Sequence, residues 1–278
     1  MAFISSPIRR SSASIVSLAD KVSKVSSQIN KYLVENKHAQ PDFSPKSPSV
    51  PDTYGYQSLR NQLTDAALDL LRLANGPKNT FRTMTFSHTD LAAVGVALRR
   101  KFVDIVPDDN VGLSASEVAK AAVMDEDRAT RILKMLATHR IFEEVDGKFR
   151  HTAASAFLKT SVYASMAEAA LDDFFKAASE MDNWIEKSPY EMSTNNSPFF
   201  ERFEQSFYAN VEDDAYKSRR FSKAMTAWSL SMSSSFVALT QADTTLQSTT
   251  IYLSYAKTLT GSLSRTKKSW TLVEEMGT

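Results

Sequence analysis

The chain has no cysteine, and its 278 residues include only seven glycines, at positions 55, 76, 95, 112, 147, 261 and 277. The missing cysteines exclude disulfides, thiolate metal sites and a cysteine nucleophile. The scattered glycines exclude more. A loop that cradles a phosphate or a nucleotide needs clustered glycines, because only glycine offers bare backbone and free positive φ. No two of these seven are close neighbours, so the chain holds no P-loop, dinucleotide fingerprint or Gly-rich cofactor loop. An excess of either charge is also missing. Lys and Arg number 33 against 32 Asp and Glu, a net charge of +1. The total therefore gives no support to a nucleic-acid or membrane-surface role. No apolar run approaches the ~20 residues of a membrane span. The four histidines, His38, His88, His139 and His151, stand apart, with no metal-ligand spacing between any two. No metal site is expected, and His139 and His151 read as surface or packing residues.

What is present is ordinary apolar content, 42% of residues, enough for one large or two small domains. Met1 to Ser17 carries Arg9, Arg10 and several serines with no acid before Asp20. A transit peptide and a frayed terminus leading into a helix are both open, and the second is favoured. The first helix follows from Ile15, Leu18, Val22, Val25, Ile29 and Tyr32, spaced alternately by three and four. With its flanks it forms an expected helical arm over 1–37. Pro41, Pro45, Pro48 and Pro51 make 38–56 an extended linker. A second helix is expected from about Gln57 to Ala74, with Leu59, Leu63, Ala66, Ala67, Leu70 and Leu71 inward. Gly76-Pro77 stops it.

Short helices and a hairpin follow. Asp90 can cap a helix that runs through Arg100. Ser114 and Glu117 have capping-box spacing, and Val118, Ala121 and Ala122 form that helix's apolar side. Asp125 begins another helix, with Ala129, Ile132, Leu133 and Leu136 inward. Ile141 to Val145 and Lys148 to Arg150 flank Asp146-Gly147, a hairpin turn signal. Helix, turn, helix and wing make a winged-helix module over 57–160. Two uses are open. Arg128, Arg131, Lys134 and Arg140 could meet DNA phosphates. However, Asp125, Glu126 and Asp127 occupy the end where base-reading side chains belong, and Glu143, Glu144 and Asp146 sit on the wing. The favoured use is a dimerisation and substrate-lid module ahead of a catalytic domain.

The segment 161–235 is helical and dense in aromatics: Phe174, Phe175, Trp184, Phe199, Phe203, Phe207, Phe221 and Trp228 among them, with Met166, Met181 and Met225. Such side chains can line a pocket for a flat apolar ligand, and at helical spacing they are more often plain core. The acidic pairs Asp172-Asp173 and Asp213-Asp214 read as solvated faces. Ser233-Ser234-Ser235 lacks a nucleophile-elbow context. Asn195-Asn196-Ser197 has glycosylation spacing at Asn195, which means little without secretion. No catalytic constellation is complete.

Residues from about Ser14 to Ser235 nevertheless resemble a known family. A winged helix, then Pro198-Phe199-Phe200-Glu201, then Arg219-Arg220-Phe221-Ser222-Lys223-Ala224-Met225, then Trp228-Ser229 is similar to fungal secondary-metabolite (polyketide-type) O-methyltransferases. The resemblance implies a half that dimerises and closes over an aromatic small-molecule substrate. It places Phe199, Phe203, Met225 and Trp228 on the substrate wall. It implies a following Rossmann-like domain that binds S-adenosylmethionine and supplies a histidine to deprotonate an aromatic hydroxyl. The family's "DWxSL" segment and V-V-D-x-G-G-G-x-G strand end are absent here. The expected fold is therefore mainly α, a winged-helix-like dimerisation domain with a small β-hairpin followed by helices, the Rossmann-like domain missing.

The tail, 236–278, is divergent. Back-translated in a shifted frame, Lys268 to Thr278 permits V-V-D-P-G-G-G-D-G-H, and Leu259 to Ser264 permits "DWxSL". A frameshift is favoured over a genuine tail. The expectation is a truncated family member, inactive alone, with no catalytic, cofactor-binding or metal-binding residue of its own. The alternatives are a non-catalytic dimerisation or substrate-binding auxiliary and, less favoured, a winged-helix DNA-binding protein. Expected partners are a second copy or a full-length relative, with no nucleic acid and no membrane, in the cytoplasm.

Overall fold

The computed structural model describes residues 13–239. The transit-peptide reading of the start, and the tail readings beyond residue 239, fall outside the described residues. Two compact units are present, one formed by the chain up to Asp42 and Pro48–His88, the other by Phe43–Ser47 and the chain from Thr89. Among the described residues no helix is long and apolar enough to cross a membrane.

In the first unit, helix α1 (Ile15–Glu35) starts at Ser14, which exchanges capping-box bonds with Ser17. Leu18, Val25 and Leu33 are buried on its inner stripe. The Tyr32 hydroxyl shares a 2.6 Å hydrogen bond with Thr53. Helix α2 (Tyr54–Arg99) begins three residues before the expected Gln57. It buries Ala66, whereas Leu71, placed inward by the sequence, is exposed.

Gly76 does break α2, with φ 65° and ψ 171°, a region essentially closed to side-chain-bearing residues. The chain re-enters helix at once through Pro77, whose fixed φ and missing N–H suit a first helical position. Asp90 is therefore inside a helix and caps nothing. Its carboxylate lies 3.1 Å from His139 Nε2 instead.

The second unit contains the winged helix. Helix α3 (Phe102–Ile105) precedes β1 (Leu113–Ser114), α4 (Ala115–Ala121), α5 (Glu126–Thr138), β2 (Phe142–Val145), β3 (Lys148–His151) and α6 (Ala153–Leu158). The Ser114–Glu117 capping box and the Asp125 cap start α4 and α5 as expected. Asp146 and Gly147 have φ of 52° and 74°, matching a tight hairpin turn. The strands form an antiparallel sheet in the order β1-β3-β2. Strand β1 lies where the sequence signals only a cap. It pairs Leu113 with Phe149 because Gly112, at φ +71°, lets the backbone approach; a Cβ there would lie 2.4 Å from the Phe149 carbonyl oxygen.

Val118, Ala119 and Ala122 face the core, and Ala121, expected inward, is exposed. The core joins Phe102, Val106, Val118, Leu133, Leu136, Phe142 and Phe149. Beneath it His151 is buried, with Nε2 donating to the Val106 carbonyl at 2.8 Å and Nδ1 accepting from the Ser155 hydroxyl at 2.9 Å. Burial holds its pKa below the usual value despite the Val106 bond. The linker is not wholly extended: Phe43 accepts a bond from the Ala153 N–H at 2.9 Å, and the Arg140 guanidinium lies 5.3 Å from its ring.

Candidate functional site

The remaining elements are α7 (Ser161–Ala169), a π-helical turn (Ala170–Phe174), α8 (Phe175–Ala178), α9 (Met181–Lys187), α10 (Pro198–Phe203), α11 (Phe207–Glu212) and α12 (Ala215–Leu239). The first residues of the expected divergent tail thus continue a helix. The last three starts have a local cause. Ser197 accepts from the Phe200 N–H and Pro198 occupies the first position of α10. Ser206 caps α11 and Asp214 accepts from the Tyr216 and Lys217 N–H groups. The loop before α10 hangs on Asn196, which accepts from the Trp184 indole at 2.8 Å and donates to Ser188 at 3.1 Å. Asn195 beside it is exposed.

These helices bring the aromatics together. Phe199 is fully buried, 4.5 Å from the Phe203 ring centroid and 5.2 Å edge-on from Phe207. Phe207 also meets Phe221 at 5.2 Å and Phe174 at 5.4 Å. Phe174 reaches Trp228 at 6.0 Å. Each such pair contributes ~0.5–1.5 kcal/mol beyond its buried area. Of the four residues assigned to a substrate wall, Phe199 is buried in this cluster and Phe203 packs on it, Trp228 joins through Phe174, and Met225 is half-buried on α12 with no contact among the described residues that places it in the cluster.

A charged network adjoins the rings, and sequence reasoning missed it. Asp172-Asp173, read as a solvated face, is held by Arg220. The guanidinium donates to Asp172 at 2.9 Å and to Asp173 at 2.6 Å. Asp172 also accepts from Arg99 at 2.5 Å and Lys176 at 2.8 Å. Arg220 and Asp173 are buried. Burial pushes Asp172 up, but the Lys176 and Arg220 hydrogen bonds outweigh it and hold its pKa below the usual value. Burial keeps Asp173 raised in spite of the Arg220 charge. Burial lowers the Arg220 pKa, yet the two carboxylates leave it raised. The signal in the sequence was an acidic pair between Leu171 and Phe174. Charges there cannot all face water. Asp213-Asp214 is different: Asp213 is exposed and Asp214 is the α12 cap.

Of the four basic residues that could meet DNA, three are engaged by neighbours and Arg128 is exposed on α5. Arg131 pairs with Asp127, Lys134 lies 3.8 Å from Glu144, and Arg140 covers Phe43. Among the described residues no cluster of three or more His, Asp or Glu could hold a metal.

No family model matches the chain. It is 36% identical over 217 residues to O-methyltransferase sol2 of Alternaria solani, covering 77% of this chain and 51% of that protein. It is 26% identical over 227 residues to O-methyltransferase AMT9 of Alternaria alternata, covering 77% and 53%. Sterigmatocystin 8-O-methyltransferase of Aspergillus flavus is 27% identical over 161 residues, covering 55% and 38%. Among solved structures, OxaC superposes with a TM-score of 0.63 at 14% identity, covering 77% of this chain and 50% of that one. LepI in complex with SAM gives 0.58 at 14% identity, covering 75% and 50%. These two likenesses show the fold. The chain, which spans about half the length of the first curated relatives it matches, belongs to the fungal secondary-metabolite O-methyltransferase family.

Proposed function

We propose that this chain is the dimerisation and substrate-lid half of an O-methyltransferase acting on an aromatic, polyketide-type hydroxyl, and that alone it does not transfer methyl groups. The 36% identity to a fungal O-methyltransferase over half that protein's length carries this reading. The aromatic cluster supports it: Phe203 packs on Phe199 and Trp228 meets Phe174, and with Met225 on the same helix as Trp228 these side chains would give a flat ring an apolar wall.

The family's methyl donor, S-adenosylmethionine, does not fit the described residues. Gly55 packs under Tyr32 and Gly95 faces Leu171. Gly76 breaks a helix, Gly112 abuts β3 and Gly147 turns a hairpin. None lies between a parallel strand and a helix, where bare backbone meets such a cofactor. No step of the transfer is assigned to these residues.

The partner is a second copy or a full-length relative. In the first unit Leu68, Leu71, Leu73, Phe81, Met84 and Phe86 are exposed along α2. Exposed apolar side chains in such number mark a surface that a partner can cover. The same surface favours the second reading, an auxiliary that binds substrate or a relative without catalysing.

The test uses the purified chain and a naphthol. Saturable quenching of tryptophan fluorescence is expected, weakened in Phe203→Ala and Trp228→Ala, with concentration-dependent dimerisation and no methylated naphthol when S-adenosylmethionine is added. Turnover by the chain alone would refute the inactive reading. Salt-dependent binding to duplex DNA without naphthol binding would favour the regulator instead. Transcript sequence across residues 235–278 tests the shifted frame.

A further inference from the structure

Arg220 bonds to carboxylates and lies over the Tyr216 ring, a buried charge on the helix that also carries Met225 and Trp228. Its guanidinium spans two consecutive carboxylates, Asp172 and Asp173. Adjacent residues on an α-helix diverge by about 100° and do not share a face. Here they lie in the π-helical turn, Ala170–Phe174, where the wider i→i+5 bonding brings neighbours closer in direction. The wide turn and the forked guanidinium therefore fit one another. A lysine ammonium, a single point charge, could not make both bonds in this geometry.

The residue after Asp173 is Phe174, and Phe174 meets Trp228 of α12. The π turn thus grips α12 at two places. One is polar, at Arg220. The other is aromatic, at Trp228, eight residues and about 12 Å further along the axis. Between them Ala224 and Ala227 are fully buried, so no large side chain separates α12 from its neighbours there. Two attachments on one rod fix both its slide and its rotation. Asp172 receives Arg99 and Lys176 as well, so three cations meet two carboxylates and neither carboxylate stands alone.

We propose that Arg220 is a positioning residue for the aromatic wall, setting the register of α12 so that Trp228 stands against Phe174 beside the substrate surface. This rests on the substrate-wall reading above. It adds that wall geometry, and hence ligand affinity, is controlled by a buried ion network that the ligand never touches.

The experiment uses the full chain with fluorotryptophan in place of its three tryptophans. The fluorine resonance of Trp228 is the one lost in Trp228→Phe. Arg220→Lys and Asp173→Asn are compared with the parent, and naphthol affinity is measured on each. The expected result is a shifted or doubled Trp228 resonance in both variants and naphthol affinity about tenfold weaker, with helical content kept. Arg220→Lys and Asp173→Asn each retain a hydrogen-bonding group, so at least one variant should fold. A Trp228 resonance and an affinity equal to the parent's in a folded variant of lowered melting temperature would overturn the proposal and leave the network a stability element only. If the parent binds no naphthol, the wall reading fails by itself. The resonance still decides the positioning: a shift supports it and an unmoved line overturns it.

Discussion

Gly112 and Gly147 permit a matched experiment, because both have positive φ, +71° and +74°, and only one is crowded. Alanine at either must adopt a left-handed backbone, which costs about 1–2 kcal/mol. At Gly147 nothing lies within 4 Å of the new Cβ. Gly147→Ala should therefore cost about 1 kcal/mol and no more. At Gly112 the Cβ would sit 2.4 Å from the Phe149 carbonyl oxygen and 2.8 Å from Arg150 Cγ. The arginine stem can move, but the carbonyl belongs to β3. Strand β1 must back away, which weakens the Leu113–Phe149 and Ser114–Lys148 pairs. The 2.8 Å bond from the Gly112 N–H to Asp109 weakens with them. Each lost hydrogen bond is worth about 1 kcal/mol, so the total is about 3–5 kcal/mol. With a urea slope of about 2 kcal/mol/M, Gly112→Ala should lower the midpoint by about 2 M and Gly147→Ala by about 0.5 M. Far-ultraviolet circular dichroism reads both. Equal midpoints would refute the reasoning, since the backbone term is shared and only the crowding differs.

Other outcomes follow from the same geometry. Val123 is exposed, 83%, with φ 52°, in a helix-ending turn where its N–H meets the Lys120 carbonyl and the Met124 N–H meets the Ala119 carbonyl. Glycine is preferred there, so Val123→Gly should raise thermal stability by ~0.5–1 kcal/mol; a lower melting temperature would contradict this. His151 has a lowered pKa, so the unfolded chain takes up its proton first. Stability is complete above the unfolded value near 6.5 and falls as pH drops below it, by at most about 1.4 kcal/mol per pH unit. His151→Gln should remove that part of the acid slope in urea titrations spanning about one pH unit either side of the unfolded pKa, roughly pH 7.5 to 5.5. Phe199→Ala should cost ~3–5 kcal/mol in chemical unfolding, whereas Tyr190→Ala, at 97% exposure, should stay within ~0.5 kcal/mol.

The winged helix was legible because its signals are local. A cap three residues from its glutamate, an Asp-Gly turn and apolar residues at helical spacing each name their element without distant partners. The two-residue strand β1 was not legible, since its pairing partner lies 36 residues on and only the crowding at Gly112 reveals it. The helix across 77–88 was missed because most of its side chains face solvent and leave no apolar period. Ala121 was misplaced by one position, as a small residue carries little directional signal. Asp172-Asp173 looked like surface for lack of Arg220, 47 residues away from Asp173. The grouping of Phe199, Phe203, Met225 and Trp228 as a substrate wall comes from resemblance, and helical period alone favours plain core.

Phe43–Ser47 belongs to the second compact unit although the chain on both sides of it belongs to the first. During synthesis this segment leaves the ribosome about 100 residues before its partners, Arg140 and Ala153. At ~5–20 residues per second that is a wait of about 5–20 s. The wing can fold at once from neighbouring residues. The Phe43 clasp can only close afterwards, across a long loop. A polypeptide shortened past Phe43 would never close it, leaving the Ala153 N–H without its acceptor at the mouth of α6 and the Arg140 guanidinium without its ring.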